Sequence, residues 1–276
     1  MPKPEPTPEP SSPRELQGQK PIDLKVDDLL AMIAKAFIGE KDAMACPTPT
    51  YTLYDTLVAI QGGKTRRKKS QAKFLHWITR AWARQMVALA GCRVEVSGLE
   101  NLPADGGALF VANHQGAFDI PLLIGFIPGL KGFVSKKENF RLPVVSTWMK
   151  LLGCIVIDRG DLRQSARAIA RGIRDLQAGR SLVIFPEGTR SKSGTLQRFR
   201  DGSFKLATRS EATIVPLTID GSYRLFEGNR GRITPGKVRL HIHAPVILAD
   251  LPAGQKNDPV EHVRGIIASK LPDGRP

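Results

Sequence analysis

The sequence predicts an α/β fold: a single domain with a largely parallel β-sheet covered by helices, preceded by an N-terminal helical segment. Three observations carry this reading. From Gly91 onward, short apolar runs of strand length alternate with longer runs at helical spacing, the pattern of a sheet with crossover helices. Several of the strand-like runs are almost continuously apolar, as strands buried on both faces are. Before them, a basic cluster leads into a helical run that holds Phe, Trp, Leu and Ile.

At 276 residues the chain can bury a sizeable core, in one large domain or two small ones. Its 41 Lys and Arg against 26 Asp and Glu give a net charge of +15, which favours an anionic partner: nucleic acid, an anionic membrane surface or a phosphorylated substrate. Charge alone does not choose among them. The three cysteines, Cys46, Cys92 and Cys154, are too few and too scattered for a disulfide framework or a metal knuckle, which points to a reducing, cytoplasmic setting. The N-terminus lacks the apolar core of a signal peptide, and no uninterrupted apolar run of about 18 residues marks a spanning helix.

Residues 1–21 alternate Pro with Glu, Lys, Ser and Thr, a composition that buries too little apolar surface to offset chain entropy, so a disordered tail is expected. Residues 22–63 form an extension of unassigned role, in which Leu24, Leu29, Leu30, Ile33, Phe37 and Ile38 recur near helical spacing. Residues 64–90 read as a basic amphipathic helix at a membrane interface. Lys64-Thr65-Arg66-Arg67-Lys68-Lys69 supplies cations for lipid phosphates, while Phe74, Trp77 and Ile78 supply bulk for acyl chains. Arg80 and Arg84 share one face at i, i+4 spacing, apart from Trp77, Ile78 and Ala81. A core helix with a solvated basic flank is the competing reading. A nucleic-acid patch ranks below both, because no recognised nucleic-acid motif accompanies the charge.

Residues 91–276 form the main domain. Its candidate strands are 93–97, 108–112, 132–135, 154–157, 181–185, 213–219 and 237–243, and its candidate helices are 120–126, 143–152, 161–178, 204–210 and 259–271. Two donor-rich turns follow two of these strands. In Asn113-His114-Gln115-Gly116-Ala117-Phe118-Asp119, a turn that folds back lets Asp119 hold the Nδ1 proton of His114 and leaves Nε2 as a base. The alternative is that Asp119 caps the following helix and His114 is an ordinary loop residue, and spacing does not choose between them. In Phe185-Pro186-Glu187-Gly188-Thr189-Arg190-Ser191, Gly188 permits a tight turn, and Thr189, Arg190 and Ser191 offer donors suited to a phosphate. Both turns lie at the carboxyl ends of strands, where open α/β sheets place their ligands.

These two stretches resemble the first and third motifs of the 1-acyl-sn-glycerol-3-phosphate acyltransferase family, also called lysophosphatidate acyltransferases of PlsC type. Two further segments are similar in order: Leu152-Gly153-Cys154-Ile155-Val156-Ile157-Asp158-Arg159 to the second motif and Ile214-Val215-Pro216-Leu217 to the fourth. Ser135-Lys136-Lys137-Glu138 is similar to a Lys-bearing stretch of the family. The resemblance covers about residues 91–245.

It implies a glycerolipid acyltransferase fold and the transfer of an acyl chain from coenzyme A or acyl carrier protein to the sn-2 hydroxyl of lysophosphatidic acid, giving phosphatidic acid. His114 is then the base and Asp119 its orienter. Glu187, Gly188, Thr189, Arg190, Arg159 and Lys136 fall to the acceptor's phosphate site, and Asn113, Gln115, Phe185, Pro186, Ser191 and Pro216 support the motifs. Glu187 fits that group least well, because a carboxylate repels phosphate; buttressing an Arg or binding a glycerol hydroxyl suits it better. No metal or redox cofactor is implied. The protein is expected to be peripheral on the cytoplasmic face of a membrane. Acylation of another lysophospholipid or a lyso-ornithine lipid is the alternative, followed by a non-catalytic basic binding module. Gly116 departs from the Ser usual at its position, which removes a hydroxyl from the turn.

Overall fold

The structure is a computed structural model that describes residues 65–104, 107–129, 131–138, 149–158 and 160–272, without the side chains of 65–73 and 201. The expected tail, the 22–63 extension, most of the 143–152 helix and Arg159 lie outside the described residues.

A long helix, α1 (Thr65–Leu89), leads into β1 (Cys92–Ser97). There follow β2 (Leu109–Ala112), α2 (Asp119–Phe126), β3 (Lys131–Lys136), β4 (Ile155–Ile157), α3 (Leu162–Gln177) and β5 (Ser181–Ile184). The chain closes with α4 (Lys205–Ser210), β6 (Ile214–Asp220), β7 (Gly236–Ile242), the short α5 (Ala253–Lys256) and α6 (Pro259–Ala268).

The seven strands form one sheet in the order β1-β7-β6-β2-β5-β3-β4. Every pairing is parallel except β6 with β7, which are joined by 3₁₀ turns at Ser222–Leu225 and Glu227–Asn229 rather than by a crossover helix. All residues of β2 and β6 are buried, which explains why β2 reads as an unbroken apolar run and β6 as one interrupted only by Thr218 before its terminal Asp220. One core layer centres on Phe110, Ala112, Leu122, Val183 and Leu217, and the other on Leu109, Val111, Leu182, Leu206 and Ile267. Successive residues of β2 thus feed opposite faces of the sheet.

Helix α1 belongs to this core. Thr79, Ala83, Met86 and Val87 are buried, and Val87 joins the layer that contains Leu122 of α2. Arg80 and Arg84 both turn toward α2, each donating its Nε–H to the carbonyl of Gly125, at 3.0 and 2.8 Å. They cap the carboxyl end of α2, where cations are favoured. The ammonium of Lys131 completes that end, donating to the carbonyls of Ile127, Pro128 and Gly129 at 2.7–2.9 Å.

Because β6, β2, β5 and β3 run parallel side by side, their carboxyl ends share one edge of the sheet. The predicted motif turns leave from that edge.

Candidate active site

β2 ends at Ala112, and the next residue fastens the turn to the sheet. Asn113 donates its amide to the carbonyl of Ile219 and accepts the Ile219 N–H, both at 2.8 Å, so its side chain extends the ladder across to β6. His114 follows, and the chain reverses through Gly116 into α2. Asp119, the first residue of α2, is fully buried, and its Oδ2 accepts the Nδ1–H of His114 at 2.7 Å. The same oxygen accepts the backbone N–H groups of Gln115 and Gly116, at 2.7 and 2.9 Å. Ser222 donates its hydroxyl to the other oxygen, Oδ1.

Of the two sequence readings of Asp119, the structure realises the one in which it holds the imidazole: the helix cap falls on Phe118 without a side-chain bond, and Asp119 closes the turn that precedes the helix. With four donors converging on it, the carboxylate acts only as an acceptor, which fixes the Nδ1–H tautomer of His114. The ring also stacks on Phe185, with centroids 4.0 Å apart and planes 17° apart. One ring edge and one face are thereby occupied, and Nε2 lies on the opposite edge of the ring.

The second motif turn leaves β5, the neighbour of β2. Its Gly188 has φ 71°, the left-handed conformation that glycine adopts at little cost, and its N–H closes the turn onto the carbonyl of Phe185 at 3.0 Å. The two turns are bonded to each other through their backbones: Ser191 N–H to the His114 carbonyl at 2.8 Å, and Lys192 N–H to the Gln115 carbonyl at 3.0 Å.

Glu187, grouped with the phosphate ligands on the sequence, is buried beneath the His114 turn instead. Its carboxylate accepts the backbone N–H of His114 at 2.7 Å and, more weakly, that of Gln197 at 3.4 Å. Burial pushes its pKa up to about 7; the two N–H groups oppose the rise and the Asp119 charge adds to it. It holds the backbone of His114 in place.

Arg190 is about one third exposed, and its Nη1 donates to Glu227 at 2.9 Å. Thr189 is exposed beside it, while Ser191 donates its hydroxyl to the Ser193 carbonyl. Lys136, at the carboxyl end of β3, is half-buried on the same sheet edge and has no ion pair with a described residue. Its neighbour Lys137 pairs with Asp158 at 2.7 Å. Pro216 is buried in β6 opposite Val111, and Gln115 accepts the N–H of Gly221 at 2.9 Å.

Sequence reasoning missed the segment after β6. Gly221, Ser222 and Glu227 grip Gln115, Asp119, Ala117 and Arg190, yet lie far along the chain from all of them. Of the remaining histidines, His243 is buried and bonded to Thr218 at 2.8 Å, and His241 is bonded to Ser97 at 2.7 Å. Among the described residues, no group of three or more His, Cys, Asp or Glu is arranged to hold a metal ion.

Comparison with known proteins agrees with this geometry. A family model described as Acyltransferase matches residues 93–220. The chain is 35% identical over 176 residues to the chloroplast 1-acyl-sn-glycerol-3-phosphate acyltransferase of Arabidopsis thaliana, covering 63% of this chain and 49% of that protein. It is 30% identical over 183 residues to the 1-acyl-sn-glycerol-3-phosphate acyltransferase of Borreliella burgdorferi, covering 66% of this chain and 73% of that protein. The crystal structure of the 1-acyl-sn-glycerophosphate acyltransferase PlsC from Thermotoga maritima has the same fold, with a TM-score of 0.70 at 27% identity over 90% of this chain and 96% of that one. The chain spans about half the length of the plant relatives it matches. With a dyad on the first motif, a donor turn on the third and relatives of this kind, the chain belongs to the 1-acyl-sn-glycerol-3-phosphate acyltransferase family.

Proposed function

We propose that this protein transfers an acyl chain from a thioester to the sn-2 hydroxyl of lysophosphatidic acid, making phosphatidic acid at the cytoplasmic face of a membrane. The observation that carries the reading is the His114–Asp119 dyad bonded, backbone to backbone, to the turn that holds Arg190. The acceptor's hydroxyl oxygen attacks the thioester carbonyl carbon while its proton passes to Nε2 of His114. The tetrahedral intermediate then collapses, the carbon–sulfur bond breaks, and the imidazolium returns a proton to the departing thiolate. Asp119 stabilises the imidazolium between these steps. No metal or redox group takes part.

Arg190, with Lys136 and Arg159, holds the acceptor's phosphate and so keeps its hydroxyl near His114. The donor is an acyl thioester of coenzyme A or of acyl carrier protein. Attachment to the membrane falls to α1, where Trp77 and Phe74 are 64% and 43% exposed and their rings lie 6.2 Å apart. Among the described residues no helix is long and apolar enough to cross a membrane, so the proposed association is interfacial.

The test is a panel of acceptors, lysophosphatidic acid, other lysophospholipids and a lyso-ornithine lipid, assayed with both donors. The expected result is transfer to lysophosphatidic acid above all others. Preference for an acceptor without a terminal phosphate monoester would reject the proposed substrate.

A further inference from the structure

Glu227 opens a 3₁₀ turn beyond β6, outside both motif turns, yet its carboxylate touches both. Its Oε1 accepts the Ala117 N–H at 2.8 Å and the Arg190 Nη1–H at 2.9 Å. The side chain is 6% exposed, and Oε2 is buried with no hydrogen-bond partner. That oxygen lies against Gly116: a Cβ there would stand 2.5 Å from Oε2 and 3.2 Å from the Glu227 carboxyl carbon. Gly116 does not have the positive φ of Gly188. Its lack of a side chain serves space rather than backbone freedom.

We infer that Glu227 is a positioning residue, which fixes the Arg190 guanidinium against the His114 turn, and that Gly116 is the gap its carboxylate needs. The inference rests on the reading that Arg190 binds the acceptor's phosphate. An Arg side chain one third exposed has many rotamers, and phosphate recognition by a planar fork depends on its orientation. By taking one nitrogen of Arg190 and one N–H of the turn on the same oxygen, Glu227 sets the position of the phosphate ligand relative to the base. It does not touch the reacting atoms. The departure at Gly116 thereby has a physical partner: where a side chain is absent from the turn, a carboxylate from a distant loop occupies the space.

The test is steady-state kinetics of Glu227→Ala, Glu227→Gln, Gly116→Ser and Arg190→Ala in the full chain, with acceptor and acyl-donor KM measured separately and folding checked by thermal unfolding. A charged hydrogen bond of this kind supports an expected rise in acceptor KM of about tenfold for Glu227→Ala, with donor KM unchanged. Glu227→Gln keeps an oxygen that can accept from Arg190 and is expected to recover much of the loss. Gly116→Ser displaces the carboxylate and is expected to raise acceptor KM in the wild type but to add nothing to Glu227→Ala. An unchanged or lowered acceptor KM in Glu227→Ala, while Arg190→Ala raises it, would overturn the inference and leave the phosphate reading standing. An unchanged acceptor KM in Arg190→Ala would overturn both.

Discussion

Ser191 donates its backbone N–H to the carbonyl oxygen of His114 at 2.8 Å, so the turn that carries His114 and the turn that carries Arg190 form one hydrogen-bonded unit. Glu187 reinforces the unit from below by accepting the N–H of the same histidine. A carboxylate and an arginine three residues apart thus divide the work, one holding the backbone of the proposed base and the other facing the proposed phosphate.

Ser222 supplies the hydroxyl that completes the Asp119 carboxylate from the turn that follows β6. Ser222→Ala leaves a fully buried carboxylate oxygen short of a donor, a loss of about 1–3 kcal/mol. Lower thermal stability and a reduced kcat with little change in either KM are expected. Unchanged kcat would show that Asp119 orients His114 without Ser222.

Asn113 bonds both backbone groups of Ile219 while being 1% exposed. Asn113→Ala strands a buried N–H and a buried carbonyl and is expected to cost about 2 kcal/mol or more in chemical denaturation. Asn113→Asp keeps the acceptor for the N–H but turns an oxygen toward the Ile219 carbonyl, so it should not restore stability. Wild-type stability in either variant would remove Asn113 from the frame of the site.

Glu187 has a pKa raised from 4.5 to about 7, chiefly by burial. For a group whose folded value lies above its unfolded value, the stabilising contribution is full below the lower figure and is lost as pH rises through the higher one. The wild type should therefore lose stability relative to Glu187→Gln as pH rises from about 4.5 to about 7. A difference in Tm that stays constant over this window would contradict a proton-binding carboxyl at this position.

Exposed Phe74 and Trp77 on α1 form the apolar patch proposed to enter the lipid interface. The double variant Phe74→Ser, Trp77→Ser should sediment less with anionic liposomes while keeping its Tm, since neither side chain is buried. Equal sedimentation would place the membrane contact elsewhere.

Much of this fold was legible in the sequence because buried parallel strands read as unbroken apolar runs. All seven strands lie within a residue or two of their predicted bounds. The antiparallel turn of β7 was not legible, since a buried strand has the same composition in either direction. The dyad was legible only in part: its members stand five positions apart across a strand-to-helix turn, a spacing that a helix cap shares, and it was the family resemblance that favoured the dyad. Ser222 and Glu227 were invisible for the opposite reason: they meet Asp119 and Ala117 across 103 and 110 positions, inside a loop without periodicity. The basic helix was read correctly in its existence and only partly in its faces. A run of sequence shows that Arg80 and Arg84 share a side, but not that the carbonyl of Gly125 waits there for them.

The most direct measurement is the rate of acyl transfer from acyl-CoA and from acyl carrier protein to lysophosphatidic acid by His114→Ala. Removal of the general base is predicted to lower kcat by about 100- to 10,000-fold with both donors, in a protein that still folds. Transfer at the wild-type rate by His114→Ala would contradict a mechanism in which His114 takes the acceptor's proton.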